Sequence, residues 1–211
     1  MRAAPVHRLS LGRMLEEVHR ARRVLDVGSG GRKLRDDVIS LDIASRRRPD
    51  VVADLCGRLP FPDEAFDLVV CTSVLEHVLD ERAAMREIVR VTRTNGRIWI
   101  EVPFLYHFHV ADAEDRNDFR RWTLEGCRGL LSSCHLMDWG HNVGPGTALR
   151  LIAAETLAQP LFRDRHTGAY YLARWFLGWF LLPLSGLDRL CARKSISHRA
   201  TGGFWLLAEK R

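Results

Sequence analysis

The 211-residue chain lacks the cysteine spacing of a disulfide scaffold or a thiolate metal centre. Its five cysteines, Cys56, Cys71, Cys127, Cys134 and Cys191, are odd in number and none stands in C-x-x-C spacing. Neither a disulfide framework nor a zinc site is expected, and the thiols suit a reducing cytoplasm. Long apolar runs are missing as well. The greasiest stretch, residues 169–187, is interrupted by Arg174 and Pro183, whereas a bilayer span needs about 20 consecutive apolar residues. The first fifteen residues carry charge without the apolar centre of a signal peptide, so no cleaved leader is expected. Internal repeats and low-complexity tracts are absent too.

What is present is ordinary for a globular protein: 46% hydrophobic and 27% charged residues, in a length that suits one well-buried core. A single domain over residues 1–211 is expected. The formal charge of +6 and pI near 9.4 favour anionic neighbours, although an arginine-rich composition accounts for them without any such partner. No nucleic-acid-binding module or interleaving of basic and aromatic residues is found, which disfavours nucleic acid as a partner.

Ser10 precedes Leu11, Met14, Leu15 and Val18 at helical spacing, which predicts a capped amphipathic helix over residues 10–22. "RVLDVG", "VISLDI", "DVVADL", "FDLVVCTS" and "RIWIEVPF" are short runs rich in Val, Ile and Leu, the pattern of parallel strands covered on both faces. Ala84, Ile88 and Val91 mark a crossover helix, with Asn95-Gly96 as its expected stop. Only residues 29–37 separate the first two runs, too few for a full crossover helix. Thr123 is expected to cap a helix to about Cys134, followed by a sixth strand at "MDWGHNV" and a seventh at "GFWLLAEKR". Residues 145–202 read as a helical insertion before that last strand.

The turn after the first run is rich in glycine, which lets backbone approach a ligand closely at the carboxyl ends of the strands. A G-x-G-x-x-G dinucleotide fingerprint fails, because Lys33 stands where its third glycine belongs. What remains is Asp26-x-Gly28-x-Gly30, with Asp42, Asp54 and Ser73 closing the next three strands. This series, together with "VADLCGRLPFPDEAFDLVVCTSVLEHV" and "NGRIWIEVPF", resembles the class I S-adenosylmethionine-dependent methyltransferases, particularly the type 11 group, over residues 20–104.

The resemblance implies an α/β fold: a Rossmann-like, seven-stranded, mostly parallel sheet with flanking helices. It also implies S-adenosyl-L-methionine as cofactor. Gly28 and Gly30 would leave room for its methionine part, with Asp26 near the amino group and Ser73 on the same side. Asp42 would accept from both ribose hydroxyls, Ile43 would pack on adenine, Asp54 would accept from the adenine amino group, and Leu55 would add an apolar wall. Two departures bear on the loop: Arg32 stands where many relatives carry a third glycine, and the first crossover is short.

The acceptor is expected beyond the fifth strand, in "PFLYHFHVADAEDRNDFRRWT". Its "VPFLY" and "DFRRWT" are similar to bacterial relatives associated with sugar or cell-surface polymer modification. His107 or His109 could serve as general base or as packing groups. Glu76-His77 matches a family hallmark, and His77 reads equally as a catalytic base or a histidine satisfied by backbone. A clasp of His107, His109 and Asp112 around a metal has no cysteine or glutamate–histidine helix pair behind it, so no metal site is assigned. Asp118 with Arg120 or Arg121 reads as an ion pair holding the loop, or else as an anion clamp. His107 and His77 are the catalytic candidates.

Residues 169–187 carry Trp175 and Trp179 one turn apart, with Arg163, Arg165, Arg189, Arg193 and Lys194 nearby. They read as a helix packed on the sheet or a dimer partner, or as a helix lying in a membrane surface. The expected function is methyl transfer to a small-molecule, sugar-type or lipid-linked acceptor in the cytoplasm or at its membrane surface. The alternative is a catalytically degenerate binding protein of the same fold.

Overall fold

The computed structural model describes residues 5–109, 117–163, 167–191 and 195–211. Seven strands form one sheet: β1 (Val24–Val27), β2 (Ile39–Asp42), β3 (Val51–Val52), β4 (Phe66–Thr72), β5 (Thr92–Pro103), β6 (Cys134–Val143) and β7 (Gly203–Lys210). Their order is β3-β2-β1-β4-β5-β7-β6. β1 to β5 are parallel, and β7 lies antiparallel between β5 and β6. This is the expected Rossmann-like α/β sheet with flanking helices.

Side chains alternate across a strand, so each buried run serves two cores. Leu25, Val27, Val69, Cys71, Ile98 and Ile100 pack on one face against Ala84, Met85 and Ile88 of α2 (Glu81–Val91). Val24, Leu68, Val70 and Trp99 pack on the other against Met14 and Val18 of α1 (Pro5–Arg20). There Trp99 stacks on Trp205 at 4.8 Å, and the Arg13 guanidinium lies 4.9 Å from the Trp205 ring.

Three expected boundaries move. The first helix already runs from Pro5, with Ser10 buried in its interior rather than capping it; nothing in the preceding residues breaks the helix, and proline is suited to a first turn. α2 stops at Val91, before Asn95-Gly96, because the Thr92 hydroxyl donates to the Ile88 carbonyl at 2.7 Å while Thr92 turns extended. Asn95 and Gly96 instead lie within β5, where the pairing with β4 shifts register. α3 (Leu124–Leu130) is capped by Thr123, whose hydroxyl accepts from the Gly126 N–H at 3.1 Å, but it ends before Cys134, which opens β6. The β-branched and aromatic content of the following residues favours the strand.

Between β6 and β7 lie α4 (Pro145–Ala158), α5 (Gly168–Phe180) and α6 (Leu187–Cys191). The carboxylate of Asp188 on α6 is fully buried and accepts from the Gly146 and Thr147 N–H groups at 2.7 and 3.2 Å and from the Thr147 hydroxyl at 2.5 Å. Negative charge at the first turn of α4 satisfies donors that a helix leaves open and complements its dipole. α5 tucks Tyr170 inward, its hydroxyl donating to Glu155, and pairs Arg174 with Glu155 at 3.1 Å. Its other side leaves Tyr171, Leu172, Trp175, Phe176, Trp179 and Phe180 exposed. Arg165, Arg193 and Lys194 lie outside the described residues.

Candidate functional site

A crevice of about 620 Å³ opens at the carboxyl ends of β1, β2 and β4. In open α/β sheets ligands bind in the crevice at this end of the strands. The chain leaves β1 through Gly28, Gly30 and Gly31, at φ 63°, 61° and 83°. Among the described residues no helix intervenes before β2, in keeping with the short spacing. Gly28 has a second constraint: a Cβ there would collide with the Val74 side chain.

Asp42, at the end of β2, lines the crevice and is almost fully buried. The Gly30 N–H donates to its Oδ2 and the Ala44 N–H to its Oδ1, each at 2.9 Å, with Arg47 Nη1 3.7 Å from Oδ2. Each carboxylate oxygen can accept more than one hydrogen bond, so the group is fixed in place with capacity left for a ligand. Ile43 follows with its side chain exposed beside the crevice. On the next turn, Asp54 is exposed and accepts from the Cys56 N–H at 2.8 Å, while Leu55 is buried in the apolar core; both line the same space. Ser73 lines it from the end of β4 in a left-handed conformation, φ 55°, with its N–H donating to the Glu101 carbonyl at 2.9 Å. Non-glycine residues held this way concentrate at functional sites.

Asp26 and Gly30 do not line the crevice. Both Asp26 oxygens accept from the Arg32 guanidinium, at 2.9 and 2.6 Å. Burial leaves the Asp26 carboxyl above its ordinary range, with the Arg32 fork offsetting only part of that rise. The residue that replaces a third glycine is thus the partner of the first aspartate. Gly30 acts on the crevice through the hydrogen bond it gives Asp42.

The far wall comes from the turn after β4 and the segment after β5. His77 and His109 line the crevice, with Asn117 and Phe119. The Phe119 N–H donates to the Glu76 carbonyl at 2.8 Å, which ties the two segments together. Arg121 holds Asp118 in a fork at 2.5 and 2.7 Å, while Arg120 pairs with Glu81 and donates to the Val78 and Leu79 carbonyls. Burial alone would raise the Asp118 carboxyl; Arg121 and the His109 N–H bring it below the usual range. Both arginines therefore work as struts in this structure.

His107 is not among the crevice residues. Its ring stacks on Tyr106 at 4.5 Å, and burial, then the nearby charge of Arg174, depress it to about 4. Asp112 lies outside the described residues. Glu76, Arg47 and Phe119 belong to the site without having been candidates in the sequence. Glu76 carried a signal in "LEHV", but its burial and the approach of His109 are products of the tertiary fold. A second cavity, about 430 Å³ between α3 and β6, contains none of the predicted site residues.

Residues 25–100 match the family described as Methyltransferase domain. The demethylmenaquinone methyltransferase of Mycolicibacterium paratuberculosis is 49% identical over 55 residues, 26% of this chain and 24% of the relative. That of Beutenbergia cavernae is 35% identical over 113 residues, 42% of this chain and 47% of the relative. The matches thus span a quarter to a half of those relatives. Among solved structures, the YcgJ protein of Bacillus subtilis superposes with a TM-score of 0.53 at 18% identity, covering 97% of this chain and 99% of that one. Phosphoethanolamine N-methyltransferase 2 of Haemonchus contortus, in complex with S-adenosyl-L-methionine, superposes with a TM-score of 0.60 at 15% identity, covering 94% and 52%. These likenesses establish a shared fold.

The depressed His107 gives a pH dependence with a definite sign. Its folded pKa, about 4, lies below its ordinary 6.5, so the unfolded chain binds the proton first and stability falls as pH drops from 6.5 toward 4. His107→Gln is expected to flatten that part of the stability profile in urea titrations, and NMR is expected to show the wild-type ring neutral within the same window.

Proposed function

We propose, from the match of residues 25–100 to the Methyltransferase domain family, that the chain is a class I S-adenosylmethionine-dependent methyltransferase of the type 11 group, and that the crevice seats the cofactor and delivers its methyl group to a small-molecule or lipid-linked acceptor. The observation that carries this reading is Asp42, a buried carboxylate fixed by two backbone N–H groups at the crevice wall.

In this arrangement Asp42 takes both ribose hydroxyls, which asks for an ionised acceptor held at one angle. Ile43 and Leu55 sandwich the adenine edge, Asp54 meets its amino group, and the bare backbone at Gly28 admits the methionine part toward Ser73. Asp26, closed off by Arg32, supports the loop from behind instead of meeting the cofactor's amino group. Methyl transfer breaks the S–CH3 bond as the acceptor atom bonds to the same carbon; the electron pair goes to sulfur and leaves S-adenosylhomocysteine. The protein's main task is to align donor and acceptor. His77 and His109 form the polar wall for the acceptor, with Phe119 at the same mouth. His107 supports that segment and is not placed to remove a proton at the crevice.

The relatives' name points to a demethylmenaquinone acceptor, which supports a lipid-linked substrate over a glycan. The exposed aromatic side of α5 supports the same choice. No helix among the described residues is long and apolar enough to cross a membrane. A short helix presenting Trp175, Phe176, Trp179 and Phe180 suits insertion at headgroup depth, where a lipid-linked acceptor is met.

Isothermal calorimetry tests the cofactor seat. S-adenosylmethionine is expected to bind the wild-type protein, and Asp42→Ala is expected to weaken binding by roughly tenfold or more, since charged hydrogen bonds are worth about 1.5–3 kcal/mol each. Equal affinity in the two proteins would remove Asp42 from the site. S-adenosylhomocysteine release with a demethylated quinone in vesicles, compared with a soluble sugar acceptor, tests the substrate class. For α5, the protein is expected to sediment with anionic liposomes and the double change Trp175→Glu, Trp179→Glu to abolish sedimentation while cofactor affinity is kept. Sedimentation that persists in that variant would contradict the membrane reading.

A further inference from the structure

Glu76 is fully buried, and neither of its carboxylate oxygens has a hydrogen-bond partner. A lone carboxylate out of water carries a large desolvation cost unless a cation or a proton offsets it. What faces it is a pair of imidazoles. Its Oε1 lies 3.9 Å from His77 Nε2 and 3.7 Å from His109 Nε2, and the three potential ligand atoms all fall within 4.8 Å of one another. The geometry points to a divalent transition-metal site formed by Glu76, His77 and His109.

The orientation of the rings supports this assignment. His77 Nδ1 is hydrogen-bonded to the Asn117 carbonyl, which can only accept, so that nitrogen carries a proton and Nε2 is the nitrogen available to an ion between it and Glu76. His109 Nδ1 makes no hydrogen bond, but the Asp118 carboxylate stands 3.5 Å from it and accepts from the His109 backbone N–H at 2.7 Å, which holds the residue in place. A hydrogen-bond acceptor behind the outer ring nitrogen, as at His77, is how proteins fix the tautomer and direction of a metal-bound histidine. Ligands on one such ion stand about 3.0–3.6 Å apart, given metal–ligand bonds of about 2.0–2.2 Å, so small side-chain rotations bring these three into range.

Two nitrogens and one carboxylate, with no thiolate, suit Zn²⁺, Mn²⁺, Fe²⁺ or Co²⁺ over soft monovalent copper. Glu76 sits at the back of the group, and both imidazoles line the crevice. Open coordination positions therefore face the place where the proposed function puts the acceptor, and an acceptor oxygen is the ligand they fit. This extension rests on that reading; the metal site itself does not.

The test uses the full chain, stripped with a chelator and titrated with Zn²⁺ and with Mn²⁺ by calorimetry and thermal denaturation, in parallel with an S-adenosylmethionine titration. One ion is expected to bind per chain and to raise the melting temperature. Glu76→Gln and His109→Ala are each expected to weaken metal binding by roughly tenfold or more and to lose the thermal shift. Glu76→Gln removes the buried charge isosterically, so the metal-free variant is expected to fold at least as stably as wild type. The inference is overturned if neither metal binds the stripped protein, as for a Glu76 kept neutral by a proton, or if both variants bind metal as tightly as wild type. Failure here with cofactor binding retained leaves the crevice reading standing, while loss of cofactor binding alone strikes that reading and not the metal.

Discussion

The crevice depends on one constrained carboxylate. Asp42 ends β2 with its oxygens taken up by the N–H groups of Gly30 and Ala44. The first of these exists only because the loop after β1 runs left-handed through its glycines. The loop is thus shaped against its neighbour strand as much as against any ligand. Arg32 closes the other side of the same loop on Asp26, so two aspartates from adjacent parallel strands hold one glycine turn between them. A short crossover suffices because hydrogen bonds and an ion pair do the fixing that a packed helix would otherwise do.

The segment after β5 is built on a comparable principle. Arg121 and Arg120 spend their guanidinium donors on Asp118, Glu81 and backbone carbonyls, which sets His109 opposite His77 across Glu76. Directional, charge-assisted bonds are well suited to holding an irregular segment that has few apolar contacts of its own. The result is a wall that is aromatic at its mouth, at Phe119, and polar behind.

The sheet was legible in the sequence because strands buried on both faces need continuous runs of Val, Ile and Leu, and such runs announce themselves. Helix limits were less so. Ser10 has the chemistry of a cap but sits on the face of α1 that packs on the sheet, and Asn95-Gly96 has the chemistry of a stop but follows a threonine that had already ended α2. The glycine turn and the aspartates at the strand ends could be read because parallel strands bring their carboxyl ends together whatever lies between. The histidines could not be sorted by identity alone. His107 and His109 are two residues apart and both half-buried, yet one packs away from the crevice and the other faces it. Glu76 gained its meaning only when burial left it without a partner.

Which molecule Asp42 holds decides what the crevice is for. A crystal structure of the protein with S-adenosylhomocysteine bears on it most directly. The ribose hydroxyls are expected on the Asp42 carboxylate, adenine between Ile43 and Leu55, and the sulfur pointing toward the His77–His109 wall. Ligand density elsewhere, or an Asp42 turned away from a ligand bound in the crevice, would contradict a cofactor seat at Asp42.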